Sequence, residues 1–202
     1  QWTVGNHGDA VADGTWSDSV YLRHVDDAPP TASGDIRDIP LGRIEVDEQL
    51  QPANGGTPGE SYTLSLTTTL PPVRPGSYRV IVRPDIFNQV FEEQNEANNR
   101  SVSASTLSVT VDQLEIGVPL ETTLSTGQDR LYQITVPIGE TLQFKLSTSA
   151  TAAANEVFVR FADVPSGVEF DVASQGPLMA NQTILIPDTQ PGEYFILVRG
   201  QS

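Results

Sequence analysis

The sequence contains no cysteine, and that one absence removes disulfides, thiolate nucleophiles, Cys-ligated zinc and iron–sulfur clusters together. It also has a single lysine, Lys145, among 11 basic residues that face 26 Asp and Glu, a formal charge of −15. A field of that sign argues against nucleic acid and anionic membrane as partners. No apolar run approaches the roughly 20 residues needed to cross a bilayer, and the sequence opens without a charged-then-apolar leader pattern. The expectation is a soluble, mature-type chain with no membrane insertion.

Histidine is nearly absent too: His7 lies in an Asn-His-Gly turn, and His24 stands near Asp26 and Asp27 ahead of Ala28-Pro29-Pro30. Both read as surface histidines rather than the base of a Ser-His-Asp site. No His-rich zinc motif, phosphate-cradling glycine loop or dinucleotide fingerprint occurs. The expectation is that the chain is not an enzyme and has no catalytic residues.

What is present is strand and turn chemistry. Glycine (16), proline (15) and many Ser and Thr punctuate short alternating segments. Around Ser61 to Thr69, Tyr62, Leu64 and Leu66 share one face. From Gly76 to Arg83, Tyr78, Val80 and Val82 point inward, and Arg79 and Arg83 outward. The proline-rich stretch from Leu70 to Gly76 connects the two, because proline cannot serve a central strand. Val102 to Val111 reads as the strand that closes a first module. Further on, Tyr132, Ile134 and Val136, a turn at Pro137 to Glu140, then Leu142, Phe144 and Leu146 read as a hairpin. Val157, Val159 and Phe161, then Ile184 and Ile186, then Tyr194, Ile196 and Val198 complete the inward sets. Strands at a spacing of roughly ten residues indicate an all-β fold of two tandem antiparallel β-sandwich modules, Ig-like or jelly-roll-like. The expected boundaries are residues 1–111 and 112–202.

One loop carries chemistry. Asp85, Asn88, Glu92, Glu93, Asn95, Glu96, Asn98 and Asn99 gather carboxylate and amide oxygens within a short span. Ca²⁺ takes six to eight oxygen ligands, so these residues form a candidate calcium site, although the EF-hand Asp-x-Asp-x-Asp-Gly core is missing. Two other readings stay open: Asn88, Asn98 and Asn99 pin a long hairpin loop by bonding backbone N–H groups, or the loop is a solvated acidic surface. Glu92 and Glu93 as an acid/base pair give way to that solvated reading. Trp2 and Trp16 read as core packing rather than a sugar-stacking platform.

Several separated motifs carry a resemblance. Trp2 to Gly8, Trp16 to Leu22, Gly59 to Thr63, Leu70-Pro71, Pro75 to Tyr78, and Asp85, Asn88, Val90, Glu92, Glu96, Asn98 and Asn99 occur in an order similar to the CARDB family, a bacterial adhesion-related β-sandwich. The strand that opens that family ahead of Trp-Thr-Val has no counterpart here. The second half resembles the bacterial pre-peptidase C-terminal (PPC) module. The likeness rests on Gly127 to Val136, Pro137 to Leu142, Val159 to Phe161, Val164 to Ser166, Phe170-Asp171 and Pro191 to Val198. Some PPC modules bind calcium ahead of their first strand. The corresponding Asp112 to Gly117 lacks their dense oxygen cluster.

The resemblance implies an extracellular or cell-surface location and a structural, adhesive or spacing role within a larger protein, with that protein's neighbouring domains as partners. An alternative is an accessory region that targets a secreted hydrolase to polysaccharide or protein. A further alternative is a filament subunit that accepts a strand from another copy at an open sheet edge near Trp2 to Val4.

Overall fold

The computed structural model describes residues 1–27, 38–54, 57–91, 98–176 and 178–201. The chain divides into two units, one of Gln1–Leu70 with Gly76–Ser108, the other of Pro71–Pro75 with Val109–Ser202. The described residues form strands, turns and coil without a helix, so none is long and apolar enough to cross a membrane. The fold is all-β, built from antiparallel sheets as in β-sandwich modules.

In the first unit the strands are β1 (Trp2–Gly5), β2 (Ala12–His24), β3 (Ile39–Leu50), β4 (Ser61–Leu64), β5 (Gly76–Arg83), β6 (Ser101–Val102) and β7 (Leu107–Val109), whose last residue already falls in the second. They make a sheet of order β3-β2-β5-β6, with β7 also on β5, and a two-stranded sheet β1-β4. The period-two pattern of β2 puts Trp16, Asp18, Val20, Leu22 and His24 in one phase, all buried. Trp16 joins Val46, Leu50 and Tyr62 in a core cluster, with Val4 and Leu64 of the smaller sheet packed against it. Burying each such side chain contributes roughly 1.5–3 kcal/mol, which is what holds β1-β4 to the larger sheet.

Three expectations are corrected in this unit. His24 is buried, not on the surface: it shares the phase of Trp16 and Leu22, and its ring stands edge-on to Tyr78 at 5.0 Å. Gly76, with φ of +144°, permits this, since a Cβ there would lie 2.1 Å from His24 Nε2. The face of β5 assigned outward is covered as well: Ile81 has no exposure, and Arg79 and Arg83 are partly buried beside it. The segment from Val102 to Val111 is not one strand but two short ones, interrupted at residues 103–106.

In the second unit the strands are β8 (Asp112–Gln113), β9 (Asp129–Val136), β10 (Leu142–Leu146), β11 (Asn155–Phe161), β12 (Val172–Ala173), β13 (Gln182–Ile186) and β14 (Gly192–Gly200). The main sheet runs β12-β11-β14-β9-β8, antiparallel except for the parallel β8-β9 contact. β10 pairs with β13 alone. Tyr132, Ile134, Val136, Val157, Val159, Ile184, Tyr194, Ile196 and Val198 form the core, against which Leu142, Phe144 and Leu146 pack.

The expected hairpin of β9 and β10 does not form. β9 pairs with β14 and β10 with β13, so the Pro137 to Glu140 turn passes the chain from one sheet to the other. Thr189 holds that crossing: its Oγ1 donates to Pro137 O at 2.8 Å, and its carbonyl accepts from Gly139 N at 2.8 Å. Gln182 fixes a second connection. Its buried Nε2 donates to Asn155 O, Gly176 O and Met179 O at 2.6, 2.7 and 2.9 Å.

Candidate functional site

The oxygen-rich loop begins where β5 ends. Asp85 is buried and adopts φ of +43°, and Asn88 follows at φ of +52°. Asp and Asn tolerate this left-handed region better than other non-glycine residues. Asp85 Oδ1 accepts from Gln89 N and Oδ2 from Val90 N, each at 2.7 Å, while Asp85 O accepts from Asn88 N at 2.9 Å. The carboxylate thus turns inward and takes backbone donors of its own loop, whereas the side chains of Asn88, Asn98 and Asn99, the expected pins, accept from no backbone N–H among the described residues.

Glu92, Glu93, Asn95 and Glu96 lie outside the described residues. Asn98 O accepts from Arg100 N at 2.7 Å, and Asn99 Nδ2 is buried with no hydrogen-bond partner among the described residues. Among those residues no group of three His, Cys, Asp or Glu converges as metal ligands.

Beneath the loop lies a buried polar network that the sequence reading missed. Asp18 has no exposure, yet its Oδ2 accepts from Trp2 Nε1 and Tyr62 Oη, both at 2.8 Å. Its Oδ1 accepts from Asp85 N at 3.3 Å. Tyr62 Oη also accepts from Trp16 Nε1 at 3.1 Å. One carboxylate therefore ties β1, β2 and β4 to the start of the loop; Trp16 is a buried core residue, and the half-buried Trp2 directs its indole N–H into the same network. The Tyr62 phenol is pushed well above its ordinary value. Burial is the main cause; the bond to Asp18 and the charges of Asp18 and Asp85 add to it, and the bond from Trp16 opposes it.

A second polar group occupies the other face of the larger sheet. Strand register places Arg23 opposite Arg79 and Ser19 opposite Arg83. Asp38, almost fully buried, accepts from Arg23 Nε at 2.6 Å and also from Arg83 Nη2. Arg79 Nη1 donates to Ser103 O and Ala104 O at 2.7 and 3.0 Å. Arg83 stacks over Tyr21 at 5.0 Å. Arg100 enters the same group just ahead of β6. Its guanidinium is held below its ordinary value, mainly by burial and then by the charges of Arg23 and Arg83, with Asp38 pulling the other way. The sequence signal for this cluster was the Arg79/Arg83 spacing, but finding Arg23 across the sheet needs the register.

The chain matches no family model and no curated protein sequence. Among solved structures it is similar to the secreted serine protease VesC from Vibrio cholerae, at 11% identity and a TM-score of 0.31, over 98% of this chain. The chain spans 41% of that protein's length.

Proposed function

We propose that the chain is a pair of non-catalytic β-sandwich modules of a larger secreted or cell-surface protein, CARDB-like then PPC-like, working in adhesion, spacing or assembly. The observation that supports this most directly is where five of the buried polar groups point. Asp18 and Asp85 in the first unit, and Asn155, Gln182 and Thr189 in the second, aim at backbone groups or at core Trp and Tyr side chains. Polar side chains used this way fix loops and sheets in one arrangement, which is what a scaffold demands. A formal charge of −15 keeps such modules soluble and apart in a crowded array.

The reading is tested by coating beads with the chain and measuring their retention on collagen and on polysaccharide surfaces, beside casein and glycan hydrolysis assays. Retention without turnover is expected. Turnover with no retention on any surface overturns the proposal.

A further inference from the structure

The arginine cluster is out of keeping with the rest of the chain. Only 11 basic side chains face 26 acidic ones, yet Arg23, Arg79, Arg83 and Arg100 gather along β2, β5 and the approach to β6. Like charges directly opposite on neighbouring strands, as Arg23 and Arg79 are, destabilise a sheet unless something compensates. Asp38 pairs with Arg23 and Arg83, while Arg79 spends its donors on neutral carbonyls. Arg100 has no carboxylate partner among the described residues, and its Nε and that of Arg83 are buried there without a hydrogen bond.

A cleft of about 140 Å³ opens at this point, with Arg23, Arg79 and Arg100 among its walls, Ile81 and Val102 beside them and Asp27 as its carboxylate. Planar guanidinium donors beside a small apolar surface suit the two-pronged binding of a carboxylate or sulfate. The volume fits one such group rather than a chain of them. The net charge selects in the same direction. A dense polyanion meets the repulsion of the whole acidic surface, whereas a lone oxyanion responds to charges within the ~8 Å screening distance of physiological salt.

We propose that this cleft binds a single oxyanion group, carboxylate or sulfate, borne on an otherwise uncharged ligand such as a mainly neutral glycan. The inference stands apart from the module reading above, because it rests on the first unit's arginines alone.

The test follows the arginine Nε–Hε resonances of the full chain by NMR during titration with sodium glucuronate, sodium sulfate, glucose, and sodium chloride at matched ionic strength. Saturable shifts of the Arg100 resonance with glucuronate or sulfate, and none with glucose or chloride, are expected. Whichever oxyanion saturates at lower concentration identifies the group. Arg100→Gln is expected to weaken binding at least about tenfold, as loss of a charge-assisted fork should, and Arg100→Lys to restore only part of it. Calorimetry of both variants checks that each still unfolds cooperatively. If Arg100→Gln does not, the wild-type titration and Arg79→Gln carry the test.

A response no different from chloride overturns the proposal. So does an Arg100→Gln variant that folds and binds the oxyanion as tightly as the wild type.

Discussion

Asp18 offers the sharpest test of the network that holds the first unit together. Asp18→Ala removes the acceptor for Trp2 Nε1 and Tyr62 Oη, both 2.8 Å away, and for the more distant Asp85 N–H at 3.3 Å. A buried donor left without an acceptor costs about 1–3 kcal/mol, so the two close donors dominate and the expected loss is ~3–5 kcal/mol. Asp18→Asn behaves differently. Its amide oxygen can take the place of Oδ2 and keep both close donors, leaving an NH₂ against the Asp85 N–H and a loss of about 1–2 kcal/mol. Urea unfolding read by tryptophan emission isolates the effect, because the chain's two tryptophans, Trp2 and Trp16, both belong to the first unit. A far-UV signal from the second unit, with its midpoint unchanged, is the internal control. Equal losses for Asn and Ala, or a loss below about 1 kcal/mol for Ala, would show that the carboxylate does not carry the network.

Tyr62 has a folded-state pKa above the unfolded value of 10.0, so the protonated phenol stabilises fully below pH 10 and this contribution drains away as pH rises further. The first unit should therefore lose at most about 1.4 kcal/mol per pH unit from this group above pH 10, a slope absent from Tyr62→Phe in alkaline urea titrations. Gly76→Ala drives a Cβ to 2.1 Å from His24 Nε2 at φ of +144° and should cost more than about 2 kcal/mol by the same tryptophan assay. Asp85→Ala frees the amides of Gln89 and Val90 and puts Ala in the left-handed region, for an expected loss of about 2–3 kcal/mol by thermal melting. On the turn-pinning reading the wild-type melt is the same in calcium and in chelator, and a rise with calcium would return the loop to the metal. Gln182→Glu sets a carboxylate against three carbonyls and should destabilise the second unit more than Gln182→Ala; calorimetry at pH 7 reads the difference, and a milder Glu variant would contradict the hydrogen-bond assignment.

Alternation told most of the strand story. The inward sets of β9, β10, β11 and β14 lie where period-two patterning puts them, but the opposite phase is covered as well at Phe158, Phe195 and Leu197, which alternation alone does not reveal. Partner choice carries no such signal: nothing local in Leu142 to Leu146 says that it pairs with Ile186 to Gln182 rather than with β9. Asp18 and His24 were legible in principle, since both fall in phase with Trp16, Val20 and Leu22. Asp18 carries no other local signal, and for His24 its polarity and the prolines that follow point toward the surface. Of the oxygen-rich loop, the sequence marks Asp85 as an oxygen donor, but the partners that its oxygens meet are backbone N–H groups of its own turn. Which groups its oxygens meet depends on a backbone turn that composition does not encode.

The strand order also sets when each unit can form as the chain emerges from its N-terminus. In the first unit the strand between β3 and β5 is β2, which is made early. In the second, the strand between β11 and β9 is β14, made after both, and it joins residues as far apart as Asp129 and Arg199. Until Gly192–Gly200 arrives, β9 and β11 have no common neighbour, and the N–H and C=O groups on their facing edges stay unpaired and open to other chains. A ribosome stalled before that strand would therefore leave a finished first unit tethered to an unfinished second one, a natural substrate for proteases and chaperones.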